Sequence, residues 1–298
     1  MSSRTFVTQF LALVAAAAFA AACDRSAPPA STQPASSSQA AGATAAAQAH
    51  DAPPSQTGEA QPKTPLLEQE VAYGEAQKRN LLGFLAMPGD AAEPLPGIIV
   101  IHEWWGLNDD IKSLTRRLAA EGYVALAVDF YGGSTADTPE KAQKLMAAVV
   151  SDPDAARANL KQAYDYLEKY ALAPRIGSIG WALGGGWSLQ TALMLPDDLD
   201  AMVMYYGEIV GSELELATLS MPMLGFFGGL DESIPVKDVQ KFRQTLFKLG
   251  KPVEILIYPN AKREFASPSD PNYDEQAAND SWQKTLAFFA ENLKPKPR

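Results

Sequence analysis

The chain has 298 residues, 47% of them hydrophobic and 20% charged, and a formal net charge of −10 from 25 Lys or Arg against 35 Asp or Glu. That length holds one large domain or two small ones, and the composition is globular. The acidic balance excludes a phosphate-backbone partner, so no nucleic-acid role is expected.

Arg4 precedes an apolar run over residues 6–22, shorter than a comfortable membrane span and closed by small residues, as a signal peptide (residues 1–22) would be. Cys23, the single cysteine, follows Ala20, Ala21 and Ala22 directly. The arrangement resembles a bacterial lipobox, which implies a lipid anchor on Cys23; otherwise Cys23 is an exported free thiol. Asp24 resembles an inner-membrane retention signal, which implies the periplasmic face of that membrane. One cysteine allows no internal disulfide. Residues 23–64 are rich in Ala, Pro, Ser and Gln, with too little apolar surface to offset ordering entropy, and read as a disordered tether.

The segment 65–298 reads as one α/β domain. Short apolar runs at 71–73 and 81–85, split by polar residues 74–80, predict a leading β-hairpin. Residues 97–102 form a β-branched strand. Asp109 or Asp110 can then cap a helix with Ile111, Leu114, Leu118 and Ala119 on one face, ended by Gly122. A strand at 123–128 and helices at 139–150 and 153–170 follow. A strand at 176–179 leads into a glycine-opened helix reaching residue 195, and strands follow at 201–205 and 223–227. The helix at 236–249 places Val239, Phe242, Leu246, Phe247 and Leu249 inward. After a strand at 253–258, the helix at 274–293 turns Ala278, Trp282, Leu286, Phe289 and Leu293 inward. Strands without polar alternation, joined by helices, predict a mostly parallel, doubly wound sheet covered on both faces.

Chemistry centres on Gly180-Trp181-Ala182-Leu183-Gly184-Gly185-Gly186. A Gly-x-nucleophile-x-Gly turn between strand and helix is the nucleophile elbow of α/β-hydrolases. Its middle residue needs a lone pair, and here it is the methyl group of Ala182. The acid and base of such a site follow in chain order from later loops. Asp231, in Gly228-Gly229-Leu230-Asp231, is the natural acid, or else a residue that ties its own loop. The loop after residue 258 holds no histidine. The chain's two histidines are His50, in the tether, and His102, read as a packed structural residue facing away from Glu103. Ser178 and Ser188 lie inside the strand and well along the helix, out of reach of the elbow. Trp104, Trp105 and Trp181 are candidates to line a pocket.

Four stretches together resemble the dienelactone hydrolase family: His102-Glu103-Trp104-Trp105-Gly106-Leu107-Asn108, the elbow, Asp231-Glu232-Ser233-Ile234-Pro235, and Tyr258-Pro259-Asn260-Ala261-Lys262-Arg263-Glu264-Phe265-Ala266. The resemblance implies an α/β-hydrolase fold and a Cys–His–Asp triad acting on lactones and small esters, without metal or cofactor. It places the cysteine at Ala182, the histidine at Arg263 and the aspartate at Asp231. It also implies that Glu103 faces the nucleophile position and that the backbone N–H groups of Trp104 and Leu183 form the oxyanion hole. Arg263 cannot accept a proton, but it can pair with Asp231 in a bidentate fork. The expected function is a pseudo-hydrolase that binds a small carboxylate, lactone or ester-like ligand. The competing readings are an inactivated copy of a triad hydrolase and a weakly active hydrolase using Glu103 or water.

Overall fold

The structure, a computed structural model, describes residues 65–295. The signal segment 1–22, Cys23, His50 and the segment 23–64 lie outside the described residues. Strands β1 (Leu66–Ala76) and β2 (Arg79–Pro88) form the leading antiparallel hairpin, longer at both ends than the apolar runs indicate. Strands β3 (Gly97–Ile101), β4 (Val124–Val128), β5 (Ile176–Trp181), β6 (Ala201–Tyr205), β7 (Met223–Gly228) and β8 (Val253–Tyr258) run parallel. The eight strands form one sheet in the order β1-β2-β4-β3-β5-β6-β7-β8. Residues 84–86 of β2 pair antiparallel with 125–127 of β4 and join the hairpin to the rest.

The helices are α1 (Asp109–Ala120), α2 (Pro139–Ser151), α3 (Pro153–Lys169), α4 (Leu183–Met194), α5 (Glu213–Leu216), α6 (Val236–Lys248) and α7 (Glu275–Leu293). Their starts follow local chemistry. Thr138 and Asp152 cap α2 and α3, each with a proline at the first helical position, where the missing N–H costs nothing. Asn108, rather than Asp109 or Asp110, caps α1: its side chain accepts the Ile111 N–H at 3.1 Å. The two aspartates instead fill the first turn, where the helix dipole favours negative charge.

Alternate residues of β3 serve two cores. Ile98 and Val100 pack with Ile111, Leu118, Trp282 and Phe289 of α1 and α7. Ile99 and Ile101 point the other way, into the core that takes in α3, α4 and α6. Both faces of the sheet are therefore covered, as the unbroken apolar strands require. Two expected inner faces need correction. Phe247 is 81% exposed rather than packed inward, because the buried stripe of α6 is Val239, Phe242 and Leu246. On α7 the buried alanine is Ala277, with Ala278 half-buried. The four-residue α5, built on a Ser212/Glu215 capping box, is too short to show a periodic signal.

The turn from β5 into α4 is wedged between neighbouring strands. A Cβ added to Gly184 would stand 2.2 Å from the Ile101 carbonyl oxygen and 2.6 Å from that of His102. One added to Gly180 would stand 2.1 Å from the Gly184 oxygen. These are backbone atoms of the sheet and cannot step aside. Gly184→Ala is therefore expected to destabilise the domain by about 3 kcal/mol in urea unfolding, the upper part of the range for overpacking.

Candidate functional site

The loops at the carboxyl ends of β3, β5, β6, β7 and β8 carry Glu103, Ala182, Tyr206 with Glu208, Asp231, and Arg263 with Glu264. This end of a parallel sheet is where α/β proteins place their ligands. Among the described residues, six other than glycine have positive φ, and three of them stand here: Ala182 (49°), Tyr206 (38°) and Glu264 (65°). Each such backbone costs roughly 1–3 kcal/mol, and strain of this kind concentrates at functional sites.

Ala182, with ψ −110°, is the tight turn itself. Its N–H donates to the Tyr205 carbonyl at 3.0 Å and its carbonyl accepts from Gly186, so both backbone groups are held while the side chain ends at a methyl group. Leu183 is the first residue of α4, so its N–H has no carbonyl within the helix to bond. Trp104 lies in the turn after β3, the strand next to β5 in the sheet. Trp181 is buried and stacks on Tyr205 with ring centroids 5.4 Å apart, so it belongs to the core. Trp104 and Trp105 are half-buried, 4.8 Å apart.

Asp231 is buried, and its Oδ1 accepts from the N–H groups of Ser233 at 2.8 Å and Ile234 at 3.0 Å. The bidentate fork with Arg263 does not form. A single nitrogen, Nη1 of Arg263, meets Asp231 Oδ2 at 3.5 Å. The loop backbone holds one carboxylate oxygen, which leaves only Oδ2 to face the guanidinium.

Glu103 is 7% exposed; Tyr206 donates to its Oε1 at 3.3 Å and Ser267 to its Oε2 at 3.4 Å. Burial pushes its carboxyl up to about 7, with Asp110 and Asp270 adding repulsion. Burial likewise raises Glu208 to about 7, with Arg263 opposing. Glu264 rises to about 9 through burial, a hydrogen bond with Asp270 and repulsion from Glu103, so it is a neutral acid at pH 7. One guanidinium thus stands among more carboxyls than it can balance.

His102, the one histidine among the described residues, is structural. Its Nδ1–H donates to the Glu103 carbonyl at 2.5 Å and its Nε2 accepts the Phe130 N–H at 3.1 Å. Full burial lowers its pKa and keeps the ring neutral. Ser178 and Ser188 bond to each other at 2.8 Å and are fully buried, away from the elbow loop. Among the described residues no cluster of His, Cys, Asp and Glu could hold a metal ion. Tyr206, Glu208, Glu264 and Ser267 were not singled out from the sequence. The available signal was their position just beyond β6 and β8, at the sheet end that carries the elbow.

A sharp turn from a central parallel strand into a buried helix, with an acid two strands further on, is the architecture of the α/β-hydrolases. The sequence model of the dienelactone hydrolase family matches residues 81–293, and the chain belongs to that family. It is 34% identical over 218 residues to "Protein usf" of Aquifex pyrophilus, covering 71% of this chain and 93% of the relative. It is 32% identical over 230 residues to the "Putative carboxymethylenebutenolidase" of Escherichia coli O157:H7, covering 72% of this chain and 83% of the relative. A solved structure from Klebsiella pneumoniae subsp. pneumoniae MGH 78578, titled as a "Putative Dienelactone Hydrolase", superposes with a TM-score of 0.67 at 31% identity, covering 76% of this chain and 100% of that one.

The raised carboxyls fix a sign for pH dependence. Glu103 titrates from its ordinary value of 4.5 in the unfolded chain and near 7 in the folded one. The folded chain therefore binds more protons in that window, and stability falls as pH rises through it. Glu103→Gln is expected to shrink the decline in unfolding free energy between pH 4.5 and 8 by about 3 kcal/mol, read from urea titrations across pH.

Proposed function

We propose that this domain is a non-hydrolytic member of its family that binds a small ester-like, lactone or carboxylate ligand. The observation that carries the proposal is Ala182 at the strained turn. A positive φ at a residue with a Cβ is maintained there although no atom at that position can attack a carbonyl. Arg263, in the place the family resemblance gives to histidine, is always protonated and cannot serve as a base. Asp231 is the remaining triad member. The N–H groups of Trp104 and Leu183, with the amino end of α4, supply donors for a carbonyl or carboxylate oxygen. We further propose that the mature chain is a lipoprotein tethered through Cys23 at the periplasmic face of the inner membrane. Cys23 after three alanines and the polar segment 24–64 support that reading.

One observation favours a second reading. Glu103, with a carboxyl near 7, is matched to proton transfer at neutral pH and could drive slow water-based hydrolysis. That activity would show no product burst and would be lost in Glu103→Gln.

The decisive experiment is a reversion cycle. Ala182→Cys with Arg263→His is expected to raise hydrolysis of small esters and enol lactones by at least 10³-fold, more than the product of the single changes, since triad members act as a unit. Cysteine alone would stay mostly protonated, and histidine alone would have nothing to activate. Covalent labelling of the parent chain by an ester probe would sink the proposal.

The carboxyls also dictate how a ligand's charge matters. As Glu103 and Glu208 become neutral below pH 7, repulsion of an anion falls. Small unsaturated carboxylates are expected to bind at least threefold more tightly at pH 6 than at pH 8 by calorimetry, whereas neutral lactones change little.

A further inference from the structure

The exposed side of α6 forms a surface that the site does not use. Val239, Phe242 and Leu246 turn in to the sheet, while Lys237, Lys241, Arg243, Phe247 and Lys248 face solvent. Phe247 is 81% exposed, and with Arg243, Gln244, Lys248 and Val253 it walls a groove of about 390 Å³. Residues 237–251 hold five Lys or Arg and one acid, Asp238, in a chain of net charge −10. Lys251 donates to the Ala217 carbonyl. The other four cations have no carboxylate partner among the described residues.

We propose that this face of α6 docks on an anionic lipid surface, the cations meeting headgroup phosphates and Phe247 entering the acyl boundary. A basic helix face with an aromatic ring among its cations is suited to the bilayer interface, where both halves of the surface are used at once. A soluble polyanion would satisfy the cations and leave the ring in water. The long stems of Lys and Arg also let their charges reach phosphates while the helix lies flat. Phe247 lies at the end of α6 remote from the Asp231 loop, so the inserted ring enters the lipid away from the site. The proposal does not depend on lipidation of Cys23.

The test is flotation of the full chain carrying Cys23→Ser with vesicles of phosphatidylglycerol and phosphatidylcholine, or of phosphatidylcholine alone. Residues 6–22 are common to every variant and cancel in the comparisons. Phosphatidylglycerol-dependent binding is expected to weaken at least tenfold between 50 and 500 mM salt. It should fall at least tenfold in Arg243→Glu/Lys248→Glu and at least threefold in Phe247→Ser. Arg79→Glu/Lys144→Glu makes the same change of charge on other exposed sites and should stay within twofold of the parent. All altered residues are exposed, and circular dichroism checks that each variant folds. Equal losses in both charge-reversed pairs, or none in the α6 variants, overturn the proposal. Loss of heparin binding in the α6 pair with vesicle binding unchanged would assign the patch to a soluble polyanion and overturn it equally.

Discussion

The site depends on one backbone constraint, the close seating of the β5–α4 turn against β3. Gly184 touches the carbonyl oxygens at the end of β3, and Gly180 touches Gly184, with no side chain between them. That contact fixes where α4 begins and forces residue 182 into a positive φ. It also sets the spacing between the start of α4 and the turn that carries Glu103 and Trp104. The ring of loops from β6, β7 and β8 closes around this fixed point. Because the constraint lies in the main chain, it survives whatever side chain stands at position 182. A shaped turn and a methyl side chain at its apex are physically compatible for that reason.

Electrostatics distinguishes a guanidinium from an imidazole at position 263. An imidazole between an acid and a thiol would shuttle a proton, and its charge would vanish when it gave the proton up. A guanidinium has one charge state, so Arg263 acts as a fixed counter-ion. It meets Asp231 through one nitrogen at 3.5 Å and lowers, without cancelling, the burial-raised titration of Glu208 and Glu264. The carboxyls it fails to balance respond by holding their protons, which is the ordinary response of buried acids. The result is a site where Glu103 and Glu208 change charge near pH 7.

Much of this was legible from residue order. The unbroken apolar strands and the helical spacing between them gave the doubly wound sheet, and the elbow, Asp231 and Arg263 were placed by their positions after successive strands. The misses have physical causes. Phe247 lies about 100° further round α6 than Leu246, just past the buried stripe, and an apolar side chain in water breaks no rule. Asn108 displaced two aspartates as the cap because the helix begins one residue earlier than they suggest. Tyr206, Glu208 and Glu264 belong to no periodic pattern, and the raised carboxyls of Glu208 and Glu264 arise only when the loops after β6 and β8 are buried together. The Asp231–Arg263 pairing was foreseeable, but its geometry was decided by backbone donors of the Asp231 loop.

The leading hairpin has a mechanical consequence. β1 is an edge strand paired in the sheet with β2 alone, and β2 is fastened to the parallel sheet through residues 84–86. Any pull arriving along the chain from ahead of residue 65 enters at Leu66, opposite Pro88 at the far end of β2. In that geometry the rungs between β1 and β2 open one after another from the loaded end. The strands bearing Glu103, Ala182, Asp231 and Arg263 lie behind β2 in the sheet, so a pull reaches them through β2 and through the bonds of Glu68, Tyr73 and Glu75 to α1 and α3. The hairpin is thus the first part of the domain to take such a load, ahead of the site-bearing strands.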